Sequence, residues 1–311
     1  MSNILIIKHG SLGDLIQANG AMKDIKNTFK DSKVLLLTSK PYLNLMSQCP
    51  YIDGVLIDKR LPRWNLFYLY NLKKMLSKYN FSHIFDLQNS SRTRFYRKFM
   101  LRQYLWSSSD TSLDVGQKKS DFDDDPVLER FKIQLEKSNV KPENVKKVDL
   151  NWALQDISKL IKQYGNEGYF LIFPFCSKQN QIKKWPYFKK LITELKLKYK
   201  NKYPILVAPG FNEIDEAKDL NAKIVLDDQG DPIDLNKLIS LIYNAKYIIS
   251  NDTGPAHICS HLNKNGIALF GSHTTPKKVS IGSQNFKTIT VKKLKDLSVS
   301  QVIFEIQSNL N

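Results

Sequence analysis

Cysteine is scarce in this chain: Cys49, Cys176 and Cys259 are an odd number with no paired spacing. That excludes a disulfide framework, points to a reducing compartment and offers no thiolate set for a metal. Long apolar runs are missing too. No stretch approaches the roughly eighteen residues that a membrane-spanning helix needs. The apolar stretch after Met1 is too short for a signal-peptide core and runs at once into Lys8 and His9. No repeat recurs at a period of roughly 20–50 residues, which excludes solenoids. Acidic residues are outnumbered: 30 Asp plus Glu against 47 Lys plus Arg leave a formal charge of +17. Such an excess calls for acidic partners, namely nucleic acid, an anionic membrane surface or phosphorylated small molecules, without choosing among them. A soluble, cytoplasmic protein is expected, with peripheral contact at the inner membrane left open.

What is present is an ordinary globular composition. Hydrophobic residues at 42% and charged residues at 25% exclude a disordered tail or a fibre. The 311 residues suffice for about two domains. Short apolar runs alternate with longer amphipathic stretches. Strands are predicted at Ile4–Ile7, Val34–Leu37, Val55–Ile57 and His83–Leu87, with helices over 14–29, near 42–46, over 64–79 and from about Ser91. Ser107 to Pro126 reads as a polar loop. A helix over 127–137 follows, with Asp125 as its cap and Pro126 at its first position. The rhythm restarts with strands at 169–173, 204–208, 223–226, 247–250 and 266–270, and a last helix covers about 298–309. Continuous apolar strands alternating with helices predict parallel sheets covered on both faces. The expected fold is α/β, with two Rossmann-like doubly wound domains over residues 1–150 and 151–311. Ligands bind such sheets at the carboxyl ends of the strands, so functional residues should follow strands directly.

Several conspicuous residues do. Lys8-His9-Gly10-Ser11-Leu12-Gly13-Asp14 follows the first strand and opens a helix, where backbone amides favour anions. Its spacing is not the dinucleotide fingerprint G-x-G-x-x-G. Asp14 either complements the helix dipole or serves as a general base. Asn251-Asp252-Thr253-Gly254-Pro255-Ala256-His257 follows another strand, with Asp252 or Thr253 as cap and Pro255 suited to an early helical position. That is either an ordinary capped helix or a phosphate site. Lys183-Lys184-Trp185-Pro186 is a basic turn or a source of point charges for a diphosphate. Glu213, after Gly210, either bonds ribose hydroxyls or sits in a first helical turn. Asp121-Phe122-Asp123 imitates a metal-binding D-x-D but lies in a polar, irregular segment. The basic and aromatic stretch from Arg92 to Arg102 suits an amphipathic helix better than a nucleic-acid surface.

Together these segments resemble glycosyltransferase family 9, the ADP-heptose:lipopolysaccharide heptosyltransferases. The block from Asp234 to Pro276 carries the most specific match. There Asp252-Thr253-Gly254-Pro255-Ala256-His257 and then Phe270-Gly271 with Pro276 are similar to the family's D-T-G-P-x-H and F-G-x-x-x-P. Ser11-Leu12-Gly13-Asp14 is similar to its S-x-G-D, Lys183-Lys184-Trp185-Pro186 to its K-x-W-P, and Gly210 to Glu213 to its G-x-x-E. Asp86-Leu87-Gln88 also matches a recurring first-domain segment. Asn263 to Gly266 and His273-Thr274-Thr275 depart from the family pattern.

The resemblance implies a GT-B architecture whose first domain takes the acceptor and whose second holds the nucleotide sugar, with the last helix packing back on the first domain. It implies an inverting transfer of a sugar, heptose from ADP-heptose above others, onto a lipopolysaccharide inner-core or related anionic glycolipid. Asp14 would be the base. Lys183, Glu213, Asp252, Thr253, Gly254, Pro255 and His257 would face the donor, and Ser11, Gly13 and Gln88 the acceptor. No cofactor, no metal and no nucleic-acid partner are expected. Two alternatives stand beside it: a sugar-nucleotide epimerase or hydrolase on the same fold, and a non-catalytic basic nucleotide-binding protein.

Overall fold

The computed structural model describes residues 2–165, 168–200 and 202–310. It divides into two compact units, Met1–Trp152 and Ala153–Asn311, two residues past the expected boundary.

The first unit is a five-stranded parallel sheet in the order β3-β2-β1-β4-β5. Its strands are β1 Asn3–Ile7, β2 Lys33–Thr38, β3 Gly54–Ile57, β4 Phe81–Asp86 and β5 Leu105–Ser107. The helices run in chain order as α1 Leu12–Gln17, α2 Asn19–Thr28, α3 Leu43–Met46, α4 Leu66–Leu76, α5 Ser91–Phe99, α6 Ser109–Ser112, α7 Lys119–Asp124 and α8 Val127–Glu136. Ile4 to Ile7 are completely buried, as a central strand covered on both faces requires. Leu5, Ile7, Leu35 and Leu37 meet Tyr68, Leu72 and Leu76 of α4 and Tyr96 of α5 in one core.

The second unit is a six-stranded parallel sheet, β11-β10-β9-β6-β7-β8. It is built from β6 Phe170–Phe173, β7 Ile205–Val207, β8 Lys223–Ile224, β9 Tyr247–Asn251, β10 Gly266–Phe270 and β11 Phe286–Thr290. Its helices are α9 Ser158–Lys162, α10 Phe188–Lys198, α11 Ile214–Lys218, α12 Leu235–Asn244, α13 Gly254–His261 and α14 Val299–Leu310. Trp185 fills its core, edge-on to Phe188 with ring centroids 5.0 Å apart, and donates from Nε1 to the Leu297 carbonyl at 2.9 Å.

Three expectations are corrected. The helix over 14–29 is two helices, α1 and α2, meeting at Ala18. The segment 107–126 is no loop: Ser108 caps α6, and α7 carries Asp121 and Asp123, the latter 3.2 Å from Lys119. Asp125 is not the cap of α8, because Pro126 occupies that position with extended backbone. The last helix buries Val299, Val302, Ile303 and Ile306 in the second unit's own core, beside Phe170 and Ile205.

Within the first unit, α2 is fastened to the distant segment at Asn144. Gly20 allows the close approach, since a Cβ there would lie 2.2 Å from the Asn144 carbonyl oxygen. Buried Asp24 accepts from the Asn144 amide at 2.9 Å, the Asn144 side chain at 2.5 Å and the Val145 amide at 3.1 Å. Replacing it leaves buried amides without an acceptor. Asp24→Ala is expected to lower the unfolding free energy by about 2–3 kcal/mol in urea titration; a loss below about 0.5 kcal/mol would contradict this account.

Candidate functional site

Both sheets follow the doubly wound plan, so each has one place where the chain reverses its direction of winding. That place lies between β1 and β4 in the first unit and between β6 and β9 in the second. Loops leaving those strands part there and open a crevice at their carboxyl ends. The candidate residues gather at these two points.

In the first unit the loop after β1 is tied across to the loop after β4. Lys8 Nζ donates to the Leu87 carbonyl at 2.9 Å, and the His9 amide to Gln88 Oε1 at 2.9 Å. Ser11 caps α1, with both its amide and its hydroxyl donating to Asp14 Oδ2 at 2.9 Å. Asp14 therefore has the capping role open to a carboxylate at that position, and it is half-buried rather than sealed. Gly13 is buried beneath it. The structure thus brings Ser11, Gly13, Asp14 and Gln88 to one strand-end crevice.

Two features here were not foreseen. Lys8 is buried, and burial lowers its ammonium pKa against the opposing charges of Asp14 and Asp86. His9 is buried as well, with Nε2 2.8 Å from Asp58 Oδ2. Asp58 also accepts from Tyr68, from Tyr96 at 2.7 Å and from the Arg60 amide at 2.8 Å. Burial alone would raise the Asp58 carboxyl, but hydrogen bonds from His9 and Tyr68 outweigh it and hold it below the usual range. This network fixes the loop that carries Asp14. The only signal in the sequence was a Lys-His pair directly after an apolar strand.

In the second unit the adjacent lysines diverge. Lys183 Nζ lies 2.7 Å from Asp252 Oδ2, and Lys184 pairs with Glu216 on α11. Asp252 follows β9 and also meets His273 Nε2 at 2.9 Å. The Asp252 side chain is 1% exposed, whereas that of Lys183 remains 27% exposed, so the carboxylate is the buried anchor and the ammonium the open end. Asn251 joins the two loops, donating to the Pro174 carbonyl at 2.8 Å and accepting from the Trp185 amide at 3.1 Å. Thr253 is the cap of α13 by backbone, with Gly254 and Pro255 in its first turn. Of the two caps considered, Thr253 holds the position and Asp252 is committed to its ion pairs.

Glu213 stands at the cap of α11, after β7, and accepts from the Gly210 amide at 2.8 Å. Burial raises its carboxyl, with Glu216 adding to the effect. Cys176, in the loop after β6, has its thiol pushed up chiefly by burial; Glu213 and Glu216 push it the same way, and Lys183 and Lys184 oppose them. His257 lies one turn inside α13, where its charge disfavours protonation of His261 at the helix end. His273 was known only as a departure from the family pattern; it braces Asp252 and stacks parallel on Phe270 with ring centroids 6.2 Å apart. Among the described residues, no three His, Cys, Asp or Glu side chains stand together as a metal-ligand set. No helix of the described residues is long and apolar enough to cross a membrane.

Two parallel units with polar strand-end sites have the GT-B architecture of nucleotide-sugar transferases. The chain is similar in structure to E. coli heptosyltransferase WaaC with ADP, at TM-score 0.73 and 17% identity over 99% of each chain. It is similar to E. coli ADP-heptose lps heptosyltransferase II, at TM-score 0.69 and 17% identity over 99% of this chain and 98% of that one. The family 9 glycosyl transferase from Veillonella parvula DSM 2008 matches at TM-score 0.76 and 14% identity, over 99% and 97%. Identities this low establish a shared fold and nothing finer. No curated protein matches the sequence. Residues 69–298 match glycosyltransferase family 9 (heptosyltransferase), and the chain belongs to that family as a glycosyltransferase.

The helix that opens at Thr253 makes the second unit acid-sensitive. Burial lowers the His261 pKa to about 3, and the nearby His257 charge adds to this. Between about pH 6.5 and that value the unfolded chain takes up a proton that the folded chain refuses, so stability falls as pH drops through this window. Above the window this group contributes nothing. Compared with His261→Gln, the wild type should lose an additional 1–2 kcal/mol or so of unfolding free energy between pH 7 and pH 5, measured in urea. Equal losses in both proteins would refute the assignment.

Proposed function

We propose that the protein transfers a sugar from a nucleoside diphosphate to an acceptor hydroxyl with inversion and without a metal ion, with ADP-heptose as donor. One observation carries this reading most. At the strand-end crevice of the second unit, a partly exposed ammonium, Lys183, is anchored by a buried carboxylate, Asp252, immediately before a helix N-terminus. Positive charge held there meets the charge that develops on a departing diphosphate, and a fixed donor array costs no reorganisation during the reaction. Lys183, Thr253 and Gly254 stabilise the diphosphate, while Pro255 shapes the turn and Asp252 and His273 hold the lysine. Glu213 takes the ribose. His257 belongs to this donor helix.

Asp14 is the general base. It accepts the proton of the acceptor hydroxyl as the oxygen attacks the anomeric carbon and the bond to the diphosphate breaks. Ser11 and the backbone at Gly13 orient it, and Gln88 fixes the same loop from the side of β4. Heptose and ADP are favoured because family 9 bears the description heptosyltransferase and because structural relatives hold ADP and ADP-2-deoxy-2-fluoro heptose. The acceptor is an anionic glycolipid of the lipopolysaccharide inner-core kind, reached from the cytoplasm. A +17 chain matches such an acceptor in charge.

Calorimetry with ADP, UDP and GDP in the presence of EDTA tests the donor assignment. ADP should bind selectively, and Lys183→Met should weaken it by about tenfold or more. Preference for UDP or GDP, or an unchanged affinity in the variant, would overturn the donor reading. In transfer assays Asp14→Asn should lose about 10²–10⁴ in turnover while keeping its ADP affinity. A folded variant with full turnover would remove Asp14 from the mechanism.

A further inference from the structure

Helix α4 has two faces of different character. Tyr68, Leu72 and Leu76 recur every fourth residue and are buried in the core of the first unit. The opposite face begins with large apolar side chains that none of the described residues covers. Trp64 is 80% exposed, Leu66 74%, Phe67 77% and Tyr70 62%. Leu66 and Phe67 are neighbours and Tyr70 follows one turn later, so the three form one ridge with Trp64 at its head. Single exposed apolar residues are common on soluble proteins, but a contiguous ridge of this size marks a contact surface. One turn further along, the same face changes to exposed Lys73 and Lys74.

The flanking sequence is strongly basic. Residues 59–80 hold six lysines and arginines and no acidic residue. Residues 87–109, which include α5, hold five and again no acidic residue. The loop leading into α4 is fastened to α5: Arg92 donates to the Leu61 carbonyl at 2.9 Å and the Arg60 carbonyl at 3.1 Å. Arg63 lies over the Phe95 ring at 5.8 Å, and Phe95 is 4.9 Å from exposed Phe99. The loop at the head of the ridge is therefore held in place by α5, which carries a further exposed aromatic, Phe99.

We infer that this face of α4 docks the protein onto an anionic phospholipid bilayer. An apolar ridge ending in lysines, on a helix whose other side is anchored in a folded unit, has the make-up of an interfacial helix lying in the membrane plane. Trp64 and Tyr70 suit the headgroup level, Leu66 and Phe67 the acyl boundary, and Lys73 and Lys74 the negative surface. A nucleic acid would use the aromatic rings for stacking but has no use for Leu66 beside Phe67.

Sedimentation of the full chain with vesicles of phosphatidylcholine, with and without phosphatidylglycerol, tests this directly. The protein should partition onto the phosphatidylglycerol vesicles and far less onto neutral ones, and salt should weaken the partition. The double substitutions Leu66→Ser/Phe67→Ser and Lys73→Glu/Lys74→Glu should each reduce the partition coefficient by about tenfold or more. All four positions are exposed, so the thermal unfolding midpoint of each variant should stay near that of the wild type. Unchanged partition in either double variant would overturn the inference, as would wild-type binding indifferent to phosphatidylglycerol. Tighter binding to single-stranded RNA than to vesicles, weakened by the same substitutions, would overturn it in favour of a nucleic-acid surface. The vesicles carry no sugar donor or acceptor, so failure here leaves the transferase reading standing, and loss of ADP binding leaves the docking face standing.

Discussion

A parallel sheet covered on both faces leaves no room for polar side chains along its strands. In both units that constraint settles where chemistry can sit. β1, β6, β9 and β10 are buried along almost their whole length. Charged side chains are therefore displaced to the strand ends, and the winding plan chooses which end matters. Because the first strand of each unit lies at the centre of its sheet, the loops after β1 and β6 part from their neighbours and open the crevices. Lys8, Asp14, Lys183 and Asp252 occupy strand-end loops for this reason.

Burial then dictates how those charges must be arranged. A cation removed from water is tolerated only with opposite charge or hydrogen-bond acceptors at hand. Lys8 has the Leu87 carbonyl and the charges of Asp14 and Asp86; Asp252 has Lys183 and His273. Leu87 reaches Lys8 from the loop after β4, and Lys183 and His273 reach Asp252 from two further loops. The ion pairs thus hold the crevice loops in register as well as providing charge, and a substitution at one position disturbs its neighbours. The Asp58 carboxylate does the same through hydroxyl donors, with Tyr68 and Tyr96 from two helices keeping it against His9 and holding that loop in place.

Strands with continuous apolar runs could be read directly from the amino acids, because nothing but a doubly covered strand needs Ile4 to Ile7 or Gly266 to Phe270. β11 escaped notice. Phe286–Thr290 is an edge strand with one side toward solvent, and its lysine and threonines hide it among loop residues. β5 has only three residues. The helical pieces over 109–124 rest on hydroxyl caps and side-chain ion pairs, such as Lys119 with Asp123, which leave no apolar periodicity to detect. At the site, Ser11, Gly13, Asp14, Lys183 and Glu213 were visible because they follow strands at spacings the family shares. Lys8 and His273 were not. The burial of Lys8 depends on Leu87 and Asp86, and the role of His273 on Asp252, and such partners meet only once the sheet has formed.

The two units repeat one device with different outcomes. In each, a lysine from the loop after the first strand reaches across the winding reversal: Lys8 to the Leu87 carbonyl, next to Asp86, between β1 and β4, and Lys183 to Asp252 between β6 and β9. In the first unit both members are sealed, at 5% and 3% exposure, and the lysine is further committed to the Leu87 carbonyl. An ammonium so enclosed can organise its loop and bias Asp14, but it cannot meet a multiply charged ligand without breaking bonds it already makes. In the second unit only the carboxylate is sealed. Lys183 keeps an open side, and the helix that starts at Thr253 adds its own positive end. The difference in burial, rather than in residue type, separates a pair that builds the loop from a pair that can receive a diphosphate.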